Sequence, residues 1–312
     1  MNKKVLFYGD IGVDIILQTH SMPRSAQDTA VQDAHTLPGG SAANSAVDAS
    51  HLNIQASIMG LIGDDLYHDL LINDLQAHGV DTGLLKTVQG KNTLVTALLA
   101  DNGSHVFCSY RGVSGTQPYG PFPQNLTGAY DCVHISGYSL QDRASRQTAL
   151  GLIQDAINTR TLLSLDPASI FASSPQGCDP DLIASFDIIM PNLQEAQAMS
   201  GKSDPHQAAI ALRETGVSIV LIKMGANGCL LSCASSTSLI PAYPLQNPIN
   251  TIGAGDAFCA GFLAAYLNGQ LPEDAARWAN AAAHIVIQGT GGHDHPPAVD
   301  QIQNLIASSV SG

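Results

Sequence analysis

The chain has 312 residues, of which 45% are hydrophobic and 12% charged, and its formal net charge is −13 at pH 7. With only 13 Lys and Arg residues, nucleic acid is excluded as an expected partner, because binding phosphates needs a basic surface. No apolar run is long enough to span a bilayer, and the apolar stretch near the N-terminus is too short for a signal peptide. We therefore expect a cytoplasmic protein with no membrane partner.

Short apolar runs alternate with helical patterns along the chain. Strands are predicted over 5–9, 57–62, 132–136, 162–166, 188–191, 219–223 and 228–232. Helices are predicted over 42–51, 66–78, 143–158, 206–214, 256–267 and 273–287. This alternation indicates an α/β fold in which helices cover both faces of a mostly parallel central sheet.

Two regions, at about 13–38 and 93–112, interrupt the alternation. Each contains two strand-like pieces, and the second pair flanks Asp101-Asn102-Gly103, where Asn-Gly is a strong hairpin-turn signal. We expect the four pieces to form a small antiparallel sheet that serves as a lid beside the core. Residues 1–312 would then form a single domain whose lid comes from these two regions.

The segment from Asn250 to Phe258 is rich in glycine and runs directly into an apolar helical pattern. A bare turn at a helix N-terminus points several N–H groups at one place, which suits an anion such as a phosphoryl group. Asp256 would begin the helix and could accept a proton from an attacking hydroxyl. The alternative is an ordinary helix cap preceded by a tight turn. The P-loop and dinucleotide fingerprints are both incomplete, which disfavours a nicotinamide-dependent dehydrogenase.

Three motifs resemble those of the ribokinase-like (PfkB) sugar and nucleoside kinases. Residues 251–258 resemble the C-terminal signature of that family, and residues 39–46 resemble its N-terminal signature. Asn192-Leu193-Gln194-Glu195 matches an Asn-x-x-Glu element that follows a strand. The resemblance implies a three-layer ribokinase-like sandwich with a β-sheet lid. It also implies ATP-dependent phosphorylation of a hydroxyl, expected at a primary position, with Mg²⁺ as a cofactor.

The resemblance assigns the chemistry to few residues. Asp256 would be the catalytic base, and Gly253, Ala254 and Gly255 would form the anion hole. Asn192 and Glu195 would hold Mg²⁺, partly through water. Without the resemblance, the position of Glu195 on a helix predicts a solvated side chain. Asn250 stands where the family usually has Asp, so any K⁺ site there should be weak and potassium dependence is in doubt.

The resemblance also divides the remaining site residues between the two substrates. The acceptor would contact Asp14, Gly39, Gly40, Asn44, Arg111 and Tyr138. ATP would contact Asn192, Lys223, Gly225, Gly228, Thr251 and Asn280. Residue type alone leaves alternatives open, since Asp14 could be an exposed residue of a lid strand and Arg111 a solvated surface arginine.

The acceptor is expected to be a small sugar or sugar acid. A nucleoside is the alternative within the family, because Phe107, Tyr110 and Tyr138 could line an apolar slot. A sugar sensor without catalysis is the alternative from another class. Exposed lid edges favour a homodimer formed through the lid. His293-Asp294-His295 is interpreted as a polar loop rather than a metal site.

Overall fold

The structure is a computed structural model that describes residues 2–25, 28–101, 104–245 and 250–310. Within these residues, nine strands form the larger sheet. They are, numbered in chain order, β1 (Lys4–Tyr8), β4 (Gln55–Gly63), β5 (Asp81–Val88), β8 (Cys132–Ser136), β9 (Leu162–Asp166), β10 (Ile188–Ile189), β11 (Ile219–Lys223), β12 (Cys229–Ser232) and β13 (Thr237–Ile240). Their order is β13-β12-β11-β10-β9-β8-β1-β4-β5. Only the pairs β11–β12 and β12–β13 are antiparallel among these strands, so the predicted mostly parallel sheet is confirmed.

Helices cover both faces of this sheet, as predicted. They are α1 (Ser41–His51), α2 (His68–Ala77), α3 (Gly112–Thr116), α4 (Arg143–Thr159), α5 (Ser169–Ala172), α6 (Pro180–Ile183), α7 (Leu193–Ser200), α8 (Pro205–Glu214), α9 (Ala254–Leu267), α10 (Pro272–Val286) and α11 (Val299–Val310). Among the helices described, none combines the length and apolar character needed to cross a membrane.

Strand β1 shows how the two layers of core are built. Its side chains alternate between the faces of the sheet, so Val5 and Phe7 pack with residues of α1, α9 and α10. Leu6 and Tyr8 point the other way and belong to a second core cluster, which also includes residues of α4 and α8. After the exposed Lys4 the strand is apolar, because both of its faces are covered by helices.

The four lid pieces form a separate small sheet. Its strands are β2 (Gly12–Thr19), β3 (Asp33–Gly39), β6 (Thr93–Ala100) and β7 (His105–Tyr110), in the order β3-β2-β6-β7. The prediction of an antiparallel sheet is wrong in one respect, because the central pair β2–β6 is parallel. The hairpins β2–β3 and β6–β7 are joined through the first strand of each, and these two strands run in the same direction. The predicted turn at Asn102-Gly103 lies outside the described residues.

Several elements were not expected from the pattern. Strands β5 and β13 lie at the two edges of the larger sheet, where side chains are partly exposed and the apolar runs are weak. Helix α7 is only eight residues long, and α11 follows the last predicted element. These omissions do not alter the α/β fold, and they leave the carboxyl ends of β1, β9 and β11 facing the small sheet.

Candidate active site

All but three of the predicted site residues line the same cavity, which has a volume of about 500 Å³. The carboxyl ends of parallel strands form one wall, which is the usual ligand position in an open α/β sheet. Side chains from the small sheet form another wall, including Asp14 of β2, Val95 of β6 and Phe107 of β7. The predicted residues that line it are Asp14, Gly40, Asn44, Arg111, Tyr138, Asn192, Glu195, Lys223, Gly225, Gly228, Gly253, Ala254, Gly255, Asp256 and Asn280. Gly39, Asn250 and Thr251 lie outside the lining.

Asp256 is held in place by two side chains from the start of α1. Ser41 Oγ donates to Asp256 Oδ1 at 2.8 Å, and Asn44 Nδ2 donates to Asp256 Oδ2 at 2.8 Å. The helix begins at Ala254 with Gly253 as its N-cap, so Asp256 is its third residue rather than its first as predicted. Its carboxylate makes no capping bond, which argues against the alternative of an ordinary helix cap.

The surroundings of Asp256 suit a general base. Burial, together with the nearby charge of Asp166, raises the pKa of Asp256 from 3.8 to about 7. The hydrogen bonds from Asn44 and Ser41 act in the opposite direction but do not offset the burial. A carboxylate with a pKa near the working pH is a better proton acceptor than an ordinary one.

The residues of the predicted anion hole lie at the first turn of α9. Gly253 has φ of +86°, and a Cβ at this position would collide with the carbonyl oxygen of Gly292. Gly255 faces the cavity, where a Cβ would lie 3.2 Å from Lys223 Nζ. The Ala254 amide already donates to the Thr251 carbonyl at 3.3 Å. Because the amides of a first helical turn have no intrahelical acceptor, those of Gly255 and Asp256 are available to an anion.

The predicted acceptor side is built from the junctions of β2, β3 and α1. Asp14 is 7% exposed and Asn44 3% exposed, so the alternative of an exposed Asp14 is wrong. Burial raises the pKa of Asp14 to about 6, while the charge of His293 lowers it. Gly39 lies directly behind Asp14, where a Cβ would collide with the carboxylate. Gly40 has φ of +100° and packs against the carbonyl of Asp10, so both glycines position this corner.

Arg111 is neither a solvated residue nor a free cation. Its guanidinium forms an ion pair with Asp10 through Nη1 and a second with Asp142 through Nε at 3.0 Å. Nη2 donates to the carbonyl of Tyr138 at 3.1 Å, and the group also lies 5.3 Å from the centre of the Tyr138 ring. The two carboxylates therefore already balance its charge. An anionic acceptor would have to compete with them for this arginine.

Lys223 also has a protein partner. Its Nζ lies 2.6 Å from Asp166 Oδ1. The two residues stand at the carboxyl ends of β11 and β9, which are separated in the sheet by the short strand β10. Burial opposes the charged form of Lys223, but Asp166, Cys259 and Glu195 together outweigh it and raise the lysine pKa. Lys223 thus remains a cation next to Gly255, where it can also face a phosphate.

Sequence reasoning missed two acidic residues of the cavity, Asp10 and Asp166. Both stand at or just after the carboxyl end of a buried apolar strand, β1 or β9. That position was the available signal, because polar residues there meet in the crevice of an α/β sheet. Without the strand order, nothing showed that these two strands end beside the predicted site.

Asn192 and Glu195 form a reciprocal capping box at the start of α7. Asn192 Oδ1 accepts from the Glu195 amide at 2.9 Å, and Glu195 Oε2 accepts from the Asn192 amide at 2.8 Å. Glu195 is 6% exposed, so the solvated position expected from the helix pattern alone is wrong. Burial raises its pKa to about 7.

These oxygens fit Mg²⁺. Each Glu195 oxygen has a single protein donor, Asn192 for Oε2 and Ser169 for Oε1, and so keeps a free lone pair. The Asp166 carboxylate lines the same part of the cavity and influences the Glu195 pKa. Carboxylates that act largely through water are the normal setting for this ion.

The predicted nucleotide side is less uniform. Gly225 and Gly228 bracket a short turn after β11, with φ of +56° and +88°, and both line the cavity. Asn280 lines it too, but its amide donates to the carbonyls of Ile240 and Pro241 at 3.1 and 3.0 Å. Only the side-chain oxygen of Asn280 could face the adenine base of ATP. Thr251 is exposed and does not line the cavity.

Asn250 is engaged with the backbone through both ends of its amide. Its Nδ2 donates to the carbonyl of Thr290 at 2.7 Å, and its Oδ1 accepts from the Ile252 amide at 2.9 Å. The oxygen that could bind K⁺ therefore already has a donor. A hydrogen-bond donor also faces the Thr290 carbonyl, where a cation would otherwise be attracted.

Comparisons with known proteins identify the family and the fold. The family model described as pfkB family carbohydrate kinase matches residues 2–298. The ribokinase of Bacillus subtilis is 26% identical over 315 residues, covering 98% of this chain and all of the relative. The structure of Arabidopsis thaliana ribokinase complexed with ribose and ATP is 22% identical, with a TM-score of 0.83 and 98% of each chain covered. Adenosine kinase from Sinorhizobium meliloti is 20% identical, with a TM-score of 0.85 and both chains fully covered.

Proposed function

The chain belongs to the pfkB family of carbohydrate kinases, and from that premise we propose that it phosphorylates a hydroxyl of a small neutral sugar. It is an ATP-dependent phosphotransferase, and its fold is that of the ribokinase-like kinases. The observation that carries the proposal is the position of Asp256. Its carboxylate lies in the first turn of α9, next to the amides of an anion site and in contact with Asn44.

In the proposed mechanism, Asp14 and Asn44 bind acceptor hydroxyls and direct one of them, a primary hydroxyl, toward Asp256. Asp256 removes the proton as the hydroxyl oxygen attacks the γ-phosphorus in line with the leaving oxygen of ADP. The amides of Gly255 and Asp256 stabilise the charge on the transferred phosphoryl group, and Lys223 adds a cation beside them. The small sheet excludes water from the cavity, which favours transfer over hydrolysis.

Asn192, Glu195 and Asp166 would hold Mg²⁺, largely through its water ligands. When bound, the ion neutralises charge on the ATP phosphates. The residues of the chain itself orient the phosphates. The Lys223–Asp166 pair sets the position of the ammonium group, and the turn at Gly225 and Gly228 offers exposed backbone close by.

The charges of the cavity favour a neutral acceptor over a sugar acid or sugar phosphate. Its lining contains five carboxylates but only two permanently charged cations, each of which is already paired with an aspartate. The five are Asp10, Asp14, Asp166, Glu195 and Asp256. An additional negative charge on the acceptor would be repelled unless it displaced Asp10 or Asp142 from Arg111.

A nucleoside is the second candidate. Phe107 of β7 and Tyr138 line the cavity and could contact a base, and the structural match to an adenosine kinase favours the same class. Tyr110, which was expected to join them, is 53% exposed and does not line the cavity. A nucleoside acceptor should then depend strongly on Phe107, whereas a free sugar should not.

A coupled ADP-release assay separates these candidates. Mg·ATP would be supplied with a panel of neutral sugars including ribose and fructose, sugar acids such as gluconate, and nucleosides such as adenosine. We expect turnover with one neutral sugar class and a smaller effect of Phe107→Ala on it than on any nucleoside. Turnover with a sugar acid alone would refute the charge argument. ATP binding without turnover on any acceptor would favour a sugar sensor.

We also propose that residues 1–312 act as one kinase domain in the cytoplasm and that the lid sheet mediates a homodimer. Strand β7 lies at the edge of the lid sheet, and its Val106, Phe107 and Tyr110 are about half exposed. Apolar edge strands favour pairing with a second chain. Light scattering should give a dimer mass for the wild type and a monomer mass for Val106→Lys.

A further inference from the structure

Three segments that are distant in sequence bring imidazole and carboxylate groups together beside α1. Asp74 lies in α2 and His78 directly follows that helix, so the two are one helical turn apart. His293 belongs to the loop between α10 and α11 and is 3% exposed. The interpretation of His293-Asp294-His295 as a polar loop did not predict that its first residue is buried.

The ring nitrogens of the two histidines converge on the Asp74 carboxylate. His293 Nε2 lies 2.6 Å from Asp74 Oδ2, and His78 Nε2 lies 3.8 Å from Asp74 Oδ1. One ligand atom from each of the three residues lies within 4.8 Å of the others. Two imidazole nitrogens and one carboxylate oxygen at this spacing need only small side-chain rotations to share a tetrahedral ion with ligand distances of about 2.0–2.2 Å.

The other nitrogen of each ring already has a partner. His293 Nδ1 lies 2.8 Å from Asn44 Oδ1, an acceptor whose orientation is set because Asn44 Nδ2 donates to Asp256. His78 Nδ1 lies 2.9 Å from His51 Nε2. Histidines that bind a metal through one nitrogen normally hydrogen-bond through the other, which orients the ring and selects its tautomer.

We propose that Asp74, His78 and His293 form a binding site for a zinc-class divalent ion, separate from the site for Mg·ATP. Two imidazoles and a carboxylate are a zinc donor set, whereas Mg²⁺ and Ca²⁺ prefer oxygen alone. His78 is 26% exposed at the side chain, so the fourth position is open to water. The proposal concerns metal binding itself and stands whether or not the chain phosphorylates a sugar.

The bound ion would fix the loop that supports the anion hole. His293 follows Gly292, whose carbonyl packs so closely on Gly253 that a Cβ there would collide with it. Holding His293 to α2 therefore holds Gly292 against the start of α9. The same ion keeps His293 Nδ1 protonated and directed at Asn44, which maintains the contact of Asn44 with Asp256.

The test is direct metal binding to chelator-treated protein without a polyhistidine tag, in excess Mg²⁺ and without nucleotide. Zn²⁺ affinity would be measured by competition with a chromophoric chelator, and Co²⁺ would be used to record the visible absorption of a tetrahedral site. We expect one tight equivalent in the wild type. His78→Ala and Asp74→Asn should each weaken it by more than about 100-fold, since loss of an outer partner alone costs about 10–100-fold.

A matched control is available on the same helix. His68 and Asp69 also form a histidine–aspartate contact, at 2.9 Å, but lie away from the cluster, so His68→Ala should bind Zn²⁺ like the wild type. The melting temperature should rise with Zn²⁺ in the wild type and in His68→Ala, and not in His78→Ala. The proposal is overturned if the wild type takes up no tight equivalent, or if His78→Ala and Asp74→Asn retain it.

Discussion

Replacing Asp256 with Asn tests the proposed base with very little change in shape. In the native protein, the two carboxylate oxygens accept from Ser41 Oγ and Asn44 Nδ2. In Asp256→Asn, the amide oxygen can still accept from Asn44, and the amide nitrogen can donate to the Ser41 hydroxyl after that hydroxyl rotates. Both hydrogen bonds therefore survive, and the proton acceptor is lost.

The expected loss is in turnover rather than in stability. A positioned general base contributes about 10²–10⁴-fold, so kcat should fall by that factor, equivalent to about 3–5 kcal/mol in the activation free energy. The pKa of Asp256 is raised from 3.8 to about 7, so this carboxylate contributes less to stability as the pH rises through that interval. A neutral amide should consequently leave the free energy of unfolding at pH 7 unchanged or higher.

Steady-state kinetics with the best acceptor, urea unfolding and ATP binding would be measured on the same preparations. Asp274→Asn is a matched control, because Asp274 also lies in a first helical turn but pairs with Arg277 in solvent. It should keep wild-type kinetics. The reasoning is refuted if Asp256→Asn keeps kcat within tenfold of the wild type, or if it loses activity only because it unfolds.

Three further predictions follow from single side chains. The kcat/KM of the wild type should fall about tenfold per pH unit below pH 7, as Asp256 takes up a proton; a flat profile down to pH 5.5 would contradict this. K⁺ should not activate the wild type, because Asn250 donates to Thr290, whereas Asn250→Asp should respond to K⁺; equal responses would refute this account. Asp48 is fully buried with no hydrogen-bond partner among the described residues, and burial raises its pKa well above 3.8. Asp48→Ala should therefore raise the free energy of unfolding at pH 7 by about 1–2 kcal/mol, with a smaller gain at pH 4; urea titrations at both values check this.

The fold was predictable because its signals are local. An apolar strand such as β8 and an amphipathic helix such as α4 show their character within a few residues, and their alternation indicates a parallel sheet. The parallel pairing of β2 with β6 could not be predicted in this way. These strands are more than 70 residues apart, and their relative direction depends on how both leave the core.

The site was predictable where a motif carries the chemistry, as in the glycine-rich turn before Asp256. The residues that surround a motif were harder to find. Asp166 and Lys223 meet only because β9 and β11 flank the short strand β10. No sequence pattern predicts the cluster of Asp74, His78 and His293, because the loop between α10 and α11 brings His293 to α2 only in the folded protein.

Transfer of the γ-phosphoryl group of labelled ATP is the most direct test of the central claim. Wild-type protein with Mg·[γ-³²P]ATP and the acceptor panel should place the label on one acceptor, with one phosphorylated product formed for each ADP. Asp256→Asn should form almost none while still binding ATP. Folded, ATP-binding protein that leaves every acceptor unlabelled, or releases the label only as inorganic phosphate, would contradict the assignment of this cavity as a sugar kinase site.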